Sequence, residues 1–312
     1  MEFLSQYGLF FLKALTVVGA FLVIFAGFFS MSRQAKSKLQ INSLNEHYEH
    51  LNSLMNKEIL GKKLSRKKKI KNAKKPILYV INFHGDMKAS QVEQLREEIT
   101  AILCIAQPKD EVLVCLDSPG GIVNGYGLAA SQLQRIRDKN IPLTVSIDKI
   151  AASGGYLMAC VANRIIAAPF AIIGSIGVVA QVPNFHRWLK KHDVDVELLT
   201  AGEYKRTLTL LGENTEKGRK KFQEDLEKIH AAFRNYIATN RGELDMDKIS
   251  TGEHWLAKDA FDLNLIDKLS TSDEYLTEKM AEYNAFKITI PIKTSLANKL
   301  LKPAMRLMHP WG

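Results

Sequence analysis

An α/β fold with mostly parallel strand pairing is what this sequence predicts, on three observations. Short, continuous apolar runs recur between residues 77 and 200, the texture of strands covered on both faces. Helical stretches with one apolar face alternate with them. Two Gly-rich turns, "LDSPGG" (116–121) and "ASGG" (152–155), each follow such a run. The 312 residues are 46% apolar and 24% charged, enough to bury a core of one sizeable domain with extensions.

The elements follow in order. Residues 9–29, "LFFLKALTVVGAFLVIFAGFF", carry a single charge, Lys13. A helix of that length spans a hydrocarbon layer of roughly 30 Å, so residues 1–30 are expected to be a transmembrane anchor. A cleaved signal peptide is the weaker reading, because Glu2 and no basic residue precede the run and no small-x-small site follows it. Residues 31–75 read as a charged, partly helical linker with 13 Lys/Arg against 3 Asp/Glu. The whole chain carries +10, so the rest balances. Basicity confined to one segment argues against nucleic-acid binding by the folded domain. It suits a solvated run or contact with anionic headgroups.

The folded domain is expected over 76–290. Strands are predicted at 77–83 (ILYVINF), 111–116 (EVLVCL), 142–147 (PLTVSI), 164–168 (RIIAA) and 194–200 (VDVELLT). Helices are predicted at 91–106, from Val123 to about Lys139, after Ser153, and at 216–241. Residues 291–312 form a basic, apolar tail. Cys104, Cys115 and Cys160 sit in apolar runs with no metal-ligand or redox spacing, so they read as buried free thiols. No cofactor or metal is expected.

Each Gly turn alone is explained by capping and turning. Neither matches the GxSxG elbow or the phosphate loop ending in GK[ST], so an α/β-hydrolase and a P-loop nucleotidase are both disfavoured. Together they supply what acyl transfer needs. Ser153 is placed at a helix N-terminus, where the positive end favours a developing anion. Gly120 or Gly121, with Gly154, offers backbone N–H groups for an oxyanion, each donor worth about 10²–10³ in rate. The proton acceptor stays open at this point. Histidine is the usual base, and His84, His186, His192, His230 and His254 are candidates. A desolvated lysine is the other option, with Lys205 in "AGEYKR" and Lys149 available.

The ordered set "LDSPGG", "ASGGYLMA", "GSIGVV" (174–179), "AGEYKR" and "TGEHWLAKDAFDLNLID" (251–267) resembles the signal peptide peptidase A family of Ser–Lys proteases over roughly 76–270. The resemblance implies a ClpP/crotonase-like fold of repeated ββα units that assembles into homo-oligomeric rings. It implies Ser153 as nucleophile, Lys205 as general base, Ser175 as the hydroxyl that holds the lysine amine, and Gly120, Gly121 and Gly154 as oxyanion turns. It further implies a serine endopeptidase of the bacterial inner membrane, with its catalytic domain in the periplasm, cleaving signal-peptide remnants and other apolar peptides. Some relatives divide lysine and serine between two tandem copies of the fold; here one copy carries both. The basic residues Arg33, Lys36 and Lys38 after the span favour the opposite orientation, with the C-terminal bulk in the cytoplasm. The rival readings are a non-catalytic membrane scaffold or chaperone of this fold and a crotonase-type acyl-CoA enzyme.

Overall fold

The structure, a computed structural model of the chain, describes residues 2–32, 39–61 and 75–291, with side chains of 2–5 and 22–32 outside the description. Two units result, residues 1–38 with 292–312 and residues 39–291, and each stands by itself here. In the first, α1 (Glu2–Ser32) is a continuous helix of 31 residues. Among the described residues no helix is long and apolar enough to cross a membrane. The described helices therefore do not support the transmembrane anchor expected over 9–29. The tail expected over 291–312 lies, from 292 on, outside the described residues.

The second unit follows the order β1 (Gln40–Ser43), α2 (Leu44–Leu60), β2 (Ile77–His84), α3 (Val92–Leu103), β3 (Glu111–Asp117), α4 (Val123–Arg137), β4 (Leu143–Ile147), β5 (Ile150–Ala152), α5 (Gly154–Ala159), β6 (Arg164–Ala167) and β7 (Ile172–Gly174). It continues with α6 (His186–Lys190), α7 (Glu216–Asn240), α8 (Met246–Ile249), β8 (His254–Leu256), α9 (Ala257–Asp262), β9 (Lys268–Leu269), α10 (Ser272–Lys279) and β10 (Asn284–Thr289). Seven strands form one sheet in the order β1-β10-β2-β3-β4-β6-β9, parallel except where β1 meets β10; β5-β7-β8 form a second, smaller sheet.

The continuous apolar runs are explained by period-two alternation between two buried faces. From β2, Tyr79, Ile81 and Phe83 enter the main core, with Val112, Val114 and Leu116 of β3 and Val145 and Ile147 of β4. Leu78, Val80 and Leu113 point the other way, into a smaller core under α10 with Tyr275 and Leu276. The pair β4–β5 followed by α5, then β6–β7 followed by α6, sends the first strand of each pair to the large sheet and the second to the small one. This is the ββα alternation expected.

Three expectations need correction. Residues 194–200 form no strand: they are exposed, and no described strand offers them a partner. Their apolar alternation therefore has nothing to pack on. Residues 40–60, expected within a linker, supply β1 on the sheet edge and α2, whose Leu44 packs against the smaller core. Asn45 fixes that junction, accepting from Ala285 N at 2.7 Å and donating to Tyr283 O at 3.2 Å. Finally, the thiols are free but unequal. Cys160 is buried, whereas Cys104 is exposed, because α3 ends at Leu103 and the chain turns outward.

Candidate active site

The site lies where β3 runs out and the small sheet begins. Ser118 bridges Ala151 of β5: its N–H donates to Ile150 O at 2.8 Å, and its carbonyl accepts from Ala152 N at 3.0 Å. The 119–121 turn is thus joined to the strand that leads into Ser153. Gly120 has φ +86°, and a Cβ there would lie 2.6 Å from Ala152 O and 2.8 Å from both Gly154 N and Ser153 Cβ. Only glycine lets the two turns meet this closely. A Cβ on Gly121 would lie 2.2 Å from Met87 O.

Ser153 itself has φ 51° and ψ −118°, a conformation that costs a non-glycine residue about 1–3 kcal/mol. The strain is held by bonds on both sides. Its N–H donates to Gly174 O at 2.8 Å, and its carbonyl accepts from Leu157 N at 3.0 Å, the first bond of α5. The Ser153 hydroxyl caps nothing and makes no hydrogen bond with a described residue. It is half-buried. A serine placed here for capping would accept a helix N–H at its side-chain oxygen; this one does not.

The sequence reading left Gly120 and Gly121 as alternative donors. Gly120 N–H is already bonded to Ser118 Oγ, at 3.1 Å. The N–H groups of Gly121 and Gly154 make no hydrogen bond with any described residue. The available donors beside Ser153 are therefore Gly121 and Gly154.

Ser175 is brought alongside. Ala152 and Gly174 are register partners in the parallel pair β5–β7, so Ser153 and Ser175 leave neighbouring strand ends together. Ser175 also has a positive φ, 53°, with its N–H held by Glu253 O at 2.6 Å. Gly174, at φ +106°, is overlain by the Trp255 ring, 2.7 Å from where a Cβ would be.

Lys205 is not joined to this group. It is exposed, and its amine makes no hydrogen bond or ion pair with a described residue. It closes a short turn, Lys205 N to Gly202 O at 3.1 Å. That turn is tied to α7 by a Glu203–Lys217 ion pair and by Lys217 and Lys221 over the Tyr204 ring, at 5.8 and 5.7 Å. The other candidate bases are also placed. His84 and Lys149 share the Asp117 carboxylate, at 3.7 and 3.5 Å. His192 bonds Trp188 O at 2.8 Å. His230 lies on α7. His254 stands opposite Gly174 on β8, exposed.

Sequence reasoning missed Ser118, Tyr126 and Gly85. Ser118 was visible only as the second residue of "DSPGG"; Tyr126 lay within a helix and gave no sign. Tyr126 is fully buried. Its ring underlies Gly154, where a Cβ would lie 2.4 Å from the ring carbon Cγ, and its hydroxyl reaches Ser118 Oγ at 2.6 Å and donates to Asp86 O at 2.8 Å. Burial pushes its phenol above the ordinary tyrosine range, which keeps the proton in place. Among the described residues no cluster of His, Cys, Asp or Glu is placed to hold a metal ion.

The chain matches two family models, "Peptidase family S49 N-terminal" over residues 2–133 and "Peptidase family S49" over 135–285. It is 46% identical to "Probable protease SohB" of Haemophilus influenzae over 329 aligned positions, covering 97% of this chain and 93% of that protein. It is 49% identical to "Probable protease SohB" of Buchnera aphidicola subsp. Schlechtendalia chinensis over 305 positions, covering 89% and 100%. Among solved structures, a "1510-N membrane protease specific for a stomatin homolog from Pyrococcus horikoshii" superposes with TM-score 0.42 at 15% identity, over 74% of this chain and 99% of that one.

Proposed function

This chain belongs to peptidase family S49, a SohB-like member, and from that premise we propose that it is a membrane-anchored serine endopeptidase with Ser153 as nucleophile and Lys205 as base. The observation that carries the nucleophile is the strained, unbonded Ser153 beside two unspent N–H groups. A neutral Lys205 amine takes the Ser153 proton. The oxygen attacks the peptide carbonyl, and the oxyanion is held by Gly121 and Gly154 N–H. The ammonium then protonates the leaving amine, and water hydrolyses the ester by the same route in reverse. Ser175 orients the amine. The substrate is an extended apolar peptide laid beside the small sheet, drawn from signal-peptide remnants and similar segments.

In the single chain Lys205 faces solvent, whereas a lysine base works from a desolvated site. Catalysis therefore requires that a neighbouring copy cover this region. What supports such a ring is the set of exposed apolar side chains in residues 179–211: Val179 is 91% exposed, Leu199 89% and Trp188 59%, the kind of side chain that subunit contacts cover. The anchor is proposed on the sequence of residues 9–29 alone, 21 positions with a single charge, Lys13. On the family resemblance, and against the charge of Arg33, Lys36 and Lys38, we propose that the catalytic unit faces the periplasmic side of the bacterial inner membrane; protease access to the C-terminus in spheroplasts tests that side.

Ser153→Ala and Lys205→Ala should each abolish cleavage of casein or a model peptide by the detergent-purified chain. Mixing the two inactive variants restores activity only if serine and lysine come from different copies. The exposure of Lys205 favours one other reading, a membrane scaffold of the same fold. Full cellular activity of Ser153→Ala would establish it.

A further inference from the structure

Resting on the nucleophile assignment above, we infer that Ser118 and Tyr126 are positioning residues: their two hydroxyls form a one-way hydrogen-bond chain that fixes the oxyanion turn. The direction follows from proton bookkeeping. Asp86 O is a carbonyl and only accepts, so the single Tyr126 proton goes to it, at 2.8 Å. The 2.6 Å contact between the hydroxyls must then use the Ser118 proton. Ser118 Oγ is left with its lone pairs, and one accepts Gly120 N–H at 3.1 Å. The chain reads Gly120 N–H to Ser118 Oγ–H to Tyr126 Oη–H to Asp86 O. Each link polarises the next.

This chain decides which amide faces the substrate. Drawing Gly120 N–H inward, at a residue with φ +86°, leaves Gly121 N–H outward and unbonded. The flanking contacts hold the turn from outside: Ile122 N donates to Met87 O at 2.8 Å, and Gly121 abuts the same peptide. Both hydroxyls are sealed from water, since Ser118 and Tyr126 are each 0% exposed. Gly85 makes the seal possible. A Cβ there would lie 2.1 Å from Ser118 Oγ and 2.3 Å from the Tyr126 hydroxyl oxygen. Tyr126 touches both donors' supports, the Ser118 turn through its hydroxyl and Gly154 through its ring.

The test uses the full chain in detergent. Tyr126→Phe removes the last two links and keeps the ring under Gly154, so the fold should persist. It should lower kcat by about 10- to 100-fold with KM within about twofold, the signature of a donor moved off the transition state. Binding of a peptide aldehyde, whose hemiacetal places an oxyanion at the two N–H groups, should weaken by the same factor. Ser118→Ala should match it, and Ser118→Cys, which keeps a weak donor, should recover part of the loss. A rise in KM with kcat unchanged, or loss in proportion to unfolded protein, would overturn the positioning role. Ser153→Ala run in parallel separates the two levels: if it stays active, the nucleophile assignment fails and takes this inference with it. If it is inactive while Tyr126→Phe matches the native chain, only the positioning role fails.

Discussion

Two stretches of this molecule, each carrying half of the proposed chemistry, are built on opposite terms. Residues 118–126 with 150–176 are threaded through the core: Ala151, Tyr156, Ile173 and Ile176 are fully buried, and the backbone groups of Ser118, Ala152 and Ser153 are bonded across three segments. Residues 178–213 carry Lys205, one short helix and a row of outward apolar side chains. Their own backbone is joined by Phe185 N to Leu210 O at 2.7 Å and Asn184 Nδ2 to Thr209 O at 2.9 Å, and the Lys205 turn is tied to α7 through exposed charged contacts of Glu203 and Tyr204. A strained nucleophile needs an environment that over-determines it. A lysine that must be neutral needs a dry one, and the lone chain does not enclose Lys205. The contrast teaches that one half is finished by folding, while the other depends on the assembly proposed above.

The comparison can be broken at its strongest point first. Gly120→Ala places a methyl group 2.6 Å from Ala152 O at a positive φ, which no side-chain motion relieves. Peptide cleavage should fall by at least about 100-fold, the value of one lost oxyanion donor, and retained activity would show that the two turns are not fixed against each other. Next, Ile173→Ala should lower unfolding free energy by about 2–5 kcal/mol, as expected for a fully buried aliphatic side chain, read by urea titration of the detergent-solubilised chain. The pH–rate profile comes third. With a lysine base, the rate should climb up to about tenfold per pH unit as the amine sheds its proton. A flat profile between about pH 6 and pH 10 would remove Lys205 from that role. The smallest stability effect belongs to Leu199→Ser, at a residue 89% exposed. It should change unfolding by no more than about 0.5 kcal/mol while shifting the sedimenting species towards monomer. Loss of stability without that shift would mean the segment is packed within its own chain.

The legibility of the sequence follows the same division. Strands β2, β3 and β4 were readable because both of their faces are buried, so nearly every residue is apolar. Ser153 drew notice because glycines crowd it, and the same crowding is visible in its strained turn. The small sheet was not: β5, β7 and β8 have three residues each, too few to display a period. The Val194–Thr200 alternation imitated a strand because sequence records the preference for burial, whatever supplies it. The donor choice between Gly120 and Gly121 was invisible, since it turns on the side-chain oxygen of Ser118. The β1–α2 segment was masked by the basic residues around it.

The pairing of β1 with β10 carries a practical lesson for anyone shortening this protein. Gln40–Ser43 lie against Phe286–Thr289, so the last strand has a neighbour on each side. A chain begun at Pro76, the natural choice for a soluble fragment, would strip that cover. It would leave an unpaired ladder and an open flank beside Ala285, inviting sticky edge-to-edge association. Aggregates of such a fragment would reflect the cut; starting at Leu39 keeps the hem sewn.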